Sequence, residues 1–263
     1  MKTPHLIQDL LTFLDSSPTS WHAVKNISKK LKDHSFIELK EADRWNLESG
    51  TPYFVRCQGS ICAFIMPKSK LERASIIGSH TDSPGFKLKP NPEIRRHQSI
   101  LLGVEVYGSP LITSWLNRDL GIAGRISYLD KHGHLKEGLV RLDKYPLVIP
   151  QLAIHLDREV NEKGLLLNKQ DHLNALAGMT SDYISTQSYL EMLISDEIDF
   201  KQIISFDLHL YPLAPAALVG YQHQLLASYR IDSLASVHAA MTALLHSDRP
   251  HEDKLKMIIF LGQ

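Results

Sequence analysis

The chain has 263 residues, with 29 Lys plus Arg balanced by 29 Asp plus Glu, and 43% of its residues are hydrophobic. The zero formal charge excludes a nucleic-acid binder that works through bulk basicity. The composition also excludes a disordered charged tail, and at roughly 150 residues per domain the length holds one large domain or two ordinary ones.

No apolar run approaches the ~18 residues that span a bilayer. The N-terminus, MKTPHLIQDLLTFLDSS, lacks the apolar core and small-residue cleavage site of a secretory leader. Cys57 and Cys62 are too few for a disulfide framework. These features predict a soluble cytoplasmic protein with reduced thiols.

In chain order, Thr3-Pro4 starts a predicted helix with Leu6, Leu10, Leu11 and Leu14 on one face, and Asp15-Ser-Ser-Pro18 breaks it. Thr19 or Ser20 caps a second helix through Lys32, with Trp21, Val24, Ile27 and Leu31 on one side. Residues 52–56 and 61–66 read as a hairpin turning at Cys57-Gln-Gly-Ser60, with both thiols expected to be free and buried. Residues 74–78 (ASIIG) form a short, buried predicted strand that runs into the turn-rich loop Ser79–Gly85. Strands follow at 101–107, 121–129 and 135–142, with a turn at Lys131-His-Gly133, and then a helix at 182–196. Strand-like runs return at QIISFDLHL and QLLASYR. Asp232 opens a helix carrying Leu234, Val237, Met241, Leu244 and Leu245, and a polar loop leads to a last strand over 255–261. Short buried strands with helices at both ends, around a β-rich block, predict an α/β domain with an insertion.

Two places carry candidate chemistry. His80-Thr-Asp82 lies at the carboxyl end of a predicted strand, where ligand sites of open α/β sheets gather. A neutral imidazole is a common metal ligand, and a carboxylate two residues on can hold its other ring nitrogen. The same loop also reads simply as a polar turn, Asp-Ser-Pro-Gly. Asp232 reads as a helix N-cap, which the sequence alone favours, or as a carboxylate bridging two metal ions. His132 and His134 flank a turn glycine and read as solvated, while His155 and His209 read as structural. There is no G-x-S-x-G elbow, no P-loop, no G-x-G-x-x-G fingerprint and no H-E-x-x-H, so the chemistries those motifs serve are excluded.

Several segments in order resemble the M18 family of metallo-aminopeptidases, the aspartyl aminopeptidase group. These are Ser17-Pro-Thr-Ser-Trp-His-Ala-Val24, the Trp45 segment between Leu39 and Gly50, His80-Thr-Asp-Ser-Pro84, and Leu116-Asn-Arg-Asp-Leu120. Ala123-Gly-Arg125, the long run Ile149–Arg158 and Tyr229-Arg-Ile-Asp-Ser-Leu234 complete the set. The resemblance implies an α/β fold: an α/β/α zinc-peptidase catalytic domain interrupted by a β-rich dimerisation domain. The implied boundaries are residues 1–90 and 201–263 for the catalytic domain and 91–200 for the insertion. It further implies that His80 binds zinc, that Asp82 orients His80, that Asp232 bridges two zinc ions, and that His155 reaches the substrate site of a neighbouring subunit. The implied activity is two-zinc hydrolysis of the N-terminal residue from a peptide substrate, within a dimer-based homo-oligomer.

The chain departs from the family's pattern at its last strand. The family's glutamate pair, one proton shuttle and one ligand, follows that strand, and here only Leu261-Gly-Gln263 does. The expectation is that these 263 residues alone have little or no aminopeptidase activity, and that the apolar run MIIFL forms an uncovered sheet edge. Two further readings stay open: an inactive relative serving as a subunit or scaffold, and a binding module with a residual single-metal site.

Overall fold

The computed structural model describes residues 4–180, 188–247 and 250–262. Thr3, part of the expected helix start, residues 182–187 of the helix expected at 182–196, and residues 248 and 249 of the polar loop lie outside them. In chain order the elements are α1 (His5–Asp15), α2 (Ser20–Asp33), β1 (Ile37–Leu39), β2 (Pro52–Cys57), β3 (Ser60–Ile65) and β4 (Arg73–His80). Next come β5 (Gly85–Arg96), β6 (Ser99–Tyr107), a 3-10 turn (Ile112–Trp115), β7 (Leu120–Leu129), β8 (Leu135–Leu147), α3 (Val160–Lys163), β9 (Ala175–Met179) and α4 (Tyr189–Ser195). The last are β10 (Gln202–Pro212), β11 (Ala217–Val219), β12 (Leu225–Ala227), α5 (Ile231–His246) and β13 (Lys254–Leu261). The chain divides into two compact units, one of residues 1–83 and 215–263, the other of residues 84–214.

The first unit is α/β. Its sheet has the order β1-β2-β3-β13-β4, with β13 antiparallel to β3 and parallel to β4. One core joins Phe13 and Leu14 of α1, Ala23, Val24, Ile27 and Leu31 of α2, and Leu234, Val237, Met241 and Leu244 of α5. These pack with Phe54, Ile61, Ala63, Ile65, Ile258 and Phe260 of the sheet. Each fully buried aliphatic or aromatic side chain there contributes about 1.5–3 kcal/mol relative to exposure. The apolar stripe expected on α2 is buried, and so is that on α5 except for Leu245, which is only partly buried, because residues three and four apart share a helix face. On α1 the buried side is turned toward Phe13 and Leu14, and Leu6 is 51% exposed rather than part of the core face.

Three expectations in this unit are corrected. The 74–78 segment is a strand but is not buried: β4 is an edge strand, with Ile76 and Ile77 both exposed. The MIIFL run is not an edge, because β13 enters between β3 and β4 and pairs on both sides. The two thiols are free as expected, but Cys57 is exposed and Cys62 only half-buried. Their hairpin lies toward one side of the sheet, where Val55 pairs Cys62 on a face that no helix core reaches.

The second unit is built on a six-stranded sheet, β8-β7-β10-β5-β6-β9, whose strand pairings among the described residues are all antiparallel. β5 runs through the boundary expected at residues 90/91, and β10, the QIISFDLHL run expected in the second catalytic segment, pairs here with β7 and β5. The β-ladder hydrogen bonds of Phe86, Leu208 and Leu210, all buried, fix that membership. At Gly124 an added Cβ would lie 2.0 Å from the Asp207 carbonyl oxygen, so the β7–β10 approach requires glycine there. α4 starts at Tyr189. Ser188 caps it by accepting from the Glu191 amide at 3.3 Å, while Glu93 accepts from Ser188 Oγ and the Leu190 amide.

Candidate metal-binding site at the end of β4

The site begins with the last residue of β4. His80 ends the strand, Thr81 is buried, and the chain leaves through Asp82 and Ser83. Thr81 is fixed from two directions. Its amide donates to the Leu261 carbonyl at 2.6 Å, and its Oγ1 donates to the Gly59 carbonyl at 2.5 Å. Gly262 makes room for that hydroxyl, since a Cβ there would lie 2.1 Å from Thr81 Oγ1. With Thr81 pinned inward, strand alternation turns its neighbours His80 and Asp82 away from the same pocket.

Asp232 is brought to His80 by the turn into α5. The N-cap residue of α5 is Arg230, at a left-handed φ of 66°, and makes no side-chain cap. Asp232 has non-helical torsions (φ −83°, ψ 112°), and its peptide bond to Ser233 is cis. The cap reading of Asp232 is therefore corrected: its carboxylate Oδ1 lies 3.3 Å from His80 Nε2, and the side chain is 89% exposed. On the other edge of the ring, His80 Nδ1 lies 3.1 Å from the Asp82 backbone carbonyl and 3.4 Å from its carboxylate Oδ1. The shorter contact is to the main chain, so the Asp82 carbonyl is the acceptor that sets the tautomer, with the carboxylate close behind.

This geometry decides what the pair can hold. A neutral His80 that donates from Nδ1 presents the Nε2 lone pair to a carboxylate oxygen, and two acceptors at 3.3 Å repel unless a cation or a proton lies between them. Zinc bonds to imidazole nitrogen and carboxylate oxygen at about 2.0–2.2 Å, so two tetrahedral ligands of one ion stand about 3.3–3.5 Å apart. The residues present fit zinc as a donor pair. They do not complete a site: among the described residues no group of three or more His, Cys, Asp or Glu could hold a metal ion.

Arg230 ties the two halves of the site together, a role that sequence reading missed. Its guanidinium is buried and donates to the carbonyls of Ser17 and Thr81, and its Nε donates to Ser83 Oγ at 3.2 Å. Ser83 Oγ in turn donates to the Asp232 carbonyl at 3.0 Å. A second link runs between Ser79 Oγ and Ser233 Oγ at 2.6 Å. Burial pulls the Arg230 pKa down to about 10, against the opposing pull of Tyr229 and Asp82, and at neutral pH it remains a cation. The signal available in sequence was an arginine two residues before the candidate carboxylate. Its burial followed only from the fold.

His155 belongs to the other unit, where it is exposed in the irregular segment between β8 and α3. The cluster of His80, Asp82 and Asp232 forms within the first unit without it.

Comparison with known proteins identifies the family. The family model described as aminopeptidase I zinc metalloprotease (M18) matches residues 13–262. The chain is 39% identical over 247 residues to the probable M18 family aminopeptidase 2 of Clostridium novyi (strain NT), covering 91% of this chain and 57% of that relative. Among solved structures it is similar to Ape4 of the Ape4 and Nbr1 complex, with a TM-score of 0.90 at 30% identity over 97% of this chain and 54% of the other. Its fold is also that of the S. cerevisiae mApe1 dodecamer chain, with a TM-score of 0.81 at 24% identity over 97% of this chain and 60% of that one. The chain spans a little more than half the length of these relatives. The family match over residues 13–262 and the 39% identity to the C. novyi relative carry the assignment: the chain belongs to the M18 family of zinc aminopeptidases.

Proposed function

We propose that this chain carries one part of a zinc-dependent aminopeptidase centre, in which His80 and Asp232 hold metal and Asp82 orients His80. The observation that carries the reading is the 3.3 Å separation of His80 Nε2 and Asp232 Oδ1, with Nδ1 engaged by Asp82. Zinc held by this pair would supply a Lewis acid and a water of lowered pKa for hydrolysis of an N-terminal peptide bond, and in the fuller form of the proposal Asp232 would help hold two ions. The chain's own residues position that chemistry. Asp82 keeps the Nε2 lone pair directed at Asp232, and Arg230 with Ser83 holds the Asp232 turn against the His80 loop. None of the described residues near the pair is assigned the proton transfer to the leaving amine, so the 263 residues alone are expected to turn over aminoacyl anilides little or not at all. A homo-oligomer built through the 84–214 unit, with His155 contributing to a neighbour's substrate site, belongs to the same proposal.

A second reading has its own support in the geometry. An imidazolium at His80, flanked by Asp82 and Asp232, satisfies the same distances without metal. Zinc K-edge absorption on the zinc-loaded protein separates them. Nitrogen and oxygen ligation with imidazole scattering that disappears in His80→Ala supports zinc at this pair. A spectrum that the substitution leaves unchanged contradicts it.

A further inference from the structure

The six-stranded sheet of the second unit forks. β5 and β10 pair at Phe86 with Leu210 and at Lys87 with His209. Beyond that point β10 stays with β7, back to Gln202 opposite Leu129, while β5 stays with β6. The cause lies in β5. Pro90 and Pro92 have no N–H to give a ladder, and the β5–β6 register shifts between Leu88 and Glu93. The Pro92 carbonyl comes to 3.4 Å from a Cβ built at Gly103, so β5 leans over β6 there and away from β10. Among the described residues, residues 203–206 of β10 therefore have a strand alongside on the β7 side only.

The gap between the arms of the fork is a groove of about 780 Å³, with the start of α4 on its wall. That volume lies within the range of ligand sites, roughly 300–1,000 Å³. Leu88, Leu190, Ile203, Ile204 and Phe206 give it apolar surface, and Ile204 is 51% exposed. Its charged lining is three glutamates, Glu93, Glu105 and Glu191, against the single Lys87. Lys87 pairs with Asp207, and Glu93 accepts from Ser188 Oγ and the Leu190 amide. Glu105 and Glu191 leave the walls acidic. An open strand edge takes up an extended chain through main-chain hydrogen bonds, and the alternate side chains of that chain read the walls. Acidic walls draw in cationic side chains and turn away acidic ones. We propose that this groove binds an extended, basic peptide segment of a partner protein. The segment adds as a strand to the free edge of β10, sets Lys or Arg side chains against Glu105 and Glu191, and lays its apolar side chains beside Leu190 and Ile204. The groove lies wholly in the second unit, so the proposal is independent of the His80–Asp232 pair.

The test is fluorescence anisotropy of the full chain with labelled, end-capped heptapeptides. One probe alternates lysine with valine, and its counterpart alternates glutamate with valine. The lysine peptide is expected to bind with a Kd below about 100 μM, and the glutamate peptide at least about tenfold more weakly. Amide exchange in residues 202–207 should slow in the lysine complex. Neither Glu105 nor Glu191 is buried. The double variant Glu105→Gln/Glu191→Gln should therefore keep its unfolding temperature while the lysine peptide weakens at least about fivefold at low salt. N-methylation of alternate peptide residues separates strand addition from charge attraction, because only one of the two alternating sets faces β10. Methylating that set should abolish binding, and methylating the other should leave most of it. The proposal is overturned by a Kd above about 100 μM, by a double variant that binds as the native chain does, or by equal binding of the two methylated peptides. Butylamine that displaces the lysine peptide at equal concentration would also overturn it, by assigning the groove to a small amine.

Discussion

Arg230 puts a permanent cation inside the first unit and spends it on main-chain oxygens, those of Ser17 and Thr81, and on Ser83 Oγ. Removing the guanidinium leaves two inward carbonyls unpaired and frees the turn that carries Asp232. Arg230→Met should therefore lower stability by about 2–4 kcal/mol, measured by urea unfolding, whereas a loss under about 0.5 kcal/mol would place those carbonyls with other donors. Tyr211 makes a pH prediction in the second unit. Burial pushes its phenol up to about 12, with Arg141 opposing and Asp143 assisting. The folded state then binds a proton that the unfolded chain releases near its ordinary pKa of about 10. The stability this contributes is complete below pH 10 and declines as pH rises from about 10 to 12, by at most about 1.4 kcal/mol per pH unit. Tyr211→Phe should flatten the fall in unfolding free energy across that window, and an unchanged slope would assign the titration elsewhere.

At the scale of elements, close approach of backbones sets limits that composition does not display. β7 and β10 meet at Gly124 so tightly that a methyl group would reach the Asp207 carbonyl. Gly124→Ala should cost about 3 kcal/mol or more, or force the pair apart, visible as a lowered unfolding temperature; an unchanged temperature would show that the ladder yields freely. What the sequence made legible here follows from physics that is local. The 3.6-residue stripes of α2 and α5 and the Cys57–Ser60 hairpin were readable because their signals lie within one element. The burial of β4, the interior place of β13 and the sheet membership of β10 were misread because each depends on which strand lies alongside, a non-local fact. The site divides the same way. His80-Thr-Asp82 could be seen as a candidate from spacing, but Asp232 looked like a cap until the turn at Arg230 aimed its carboxylate at His80.

At the scale of the molecule, two compact units are threaded by one chain, with the donor pair wholly in the unit of residues 1–83 and 215–263. Among the described residues no helix is long and apolar enough to cross a membrane. Family membership supplies aminopeptidase chemistry as the context, and the geometry supplies a two-donor pair with a positioned imidazole. This pair is expected to bind zinc. Calorimetric titration of the metal-free protein at neutral pH tests it most directly, with the double variant His80→Ala/Asp232→Ala as the reference for the chain's other histidines. The prediction is a zinc site in the native chain that weakens about tenfold or more in each single variant and is absent from the double variant. An isotherm for the double variant that overlays the native one would contradict it.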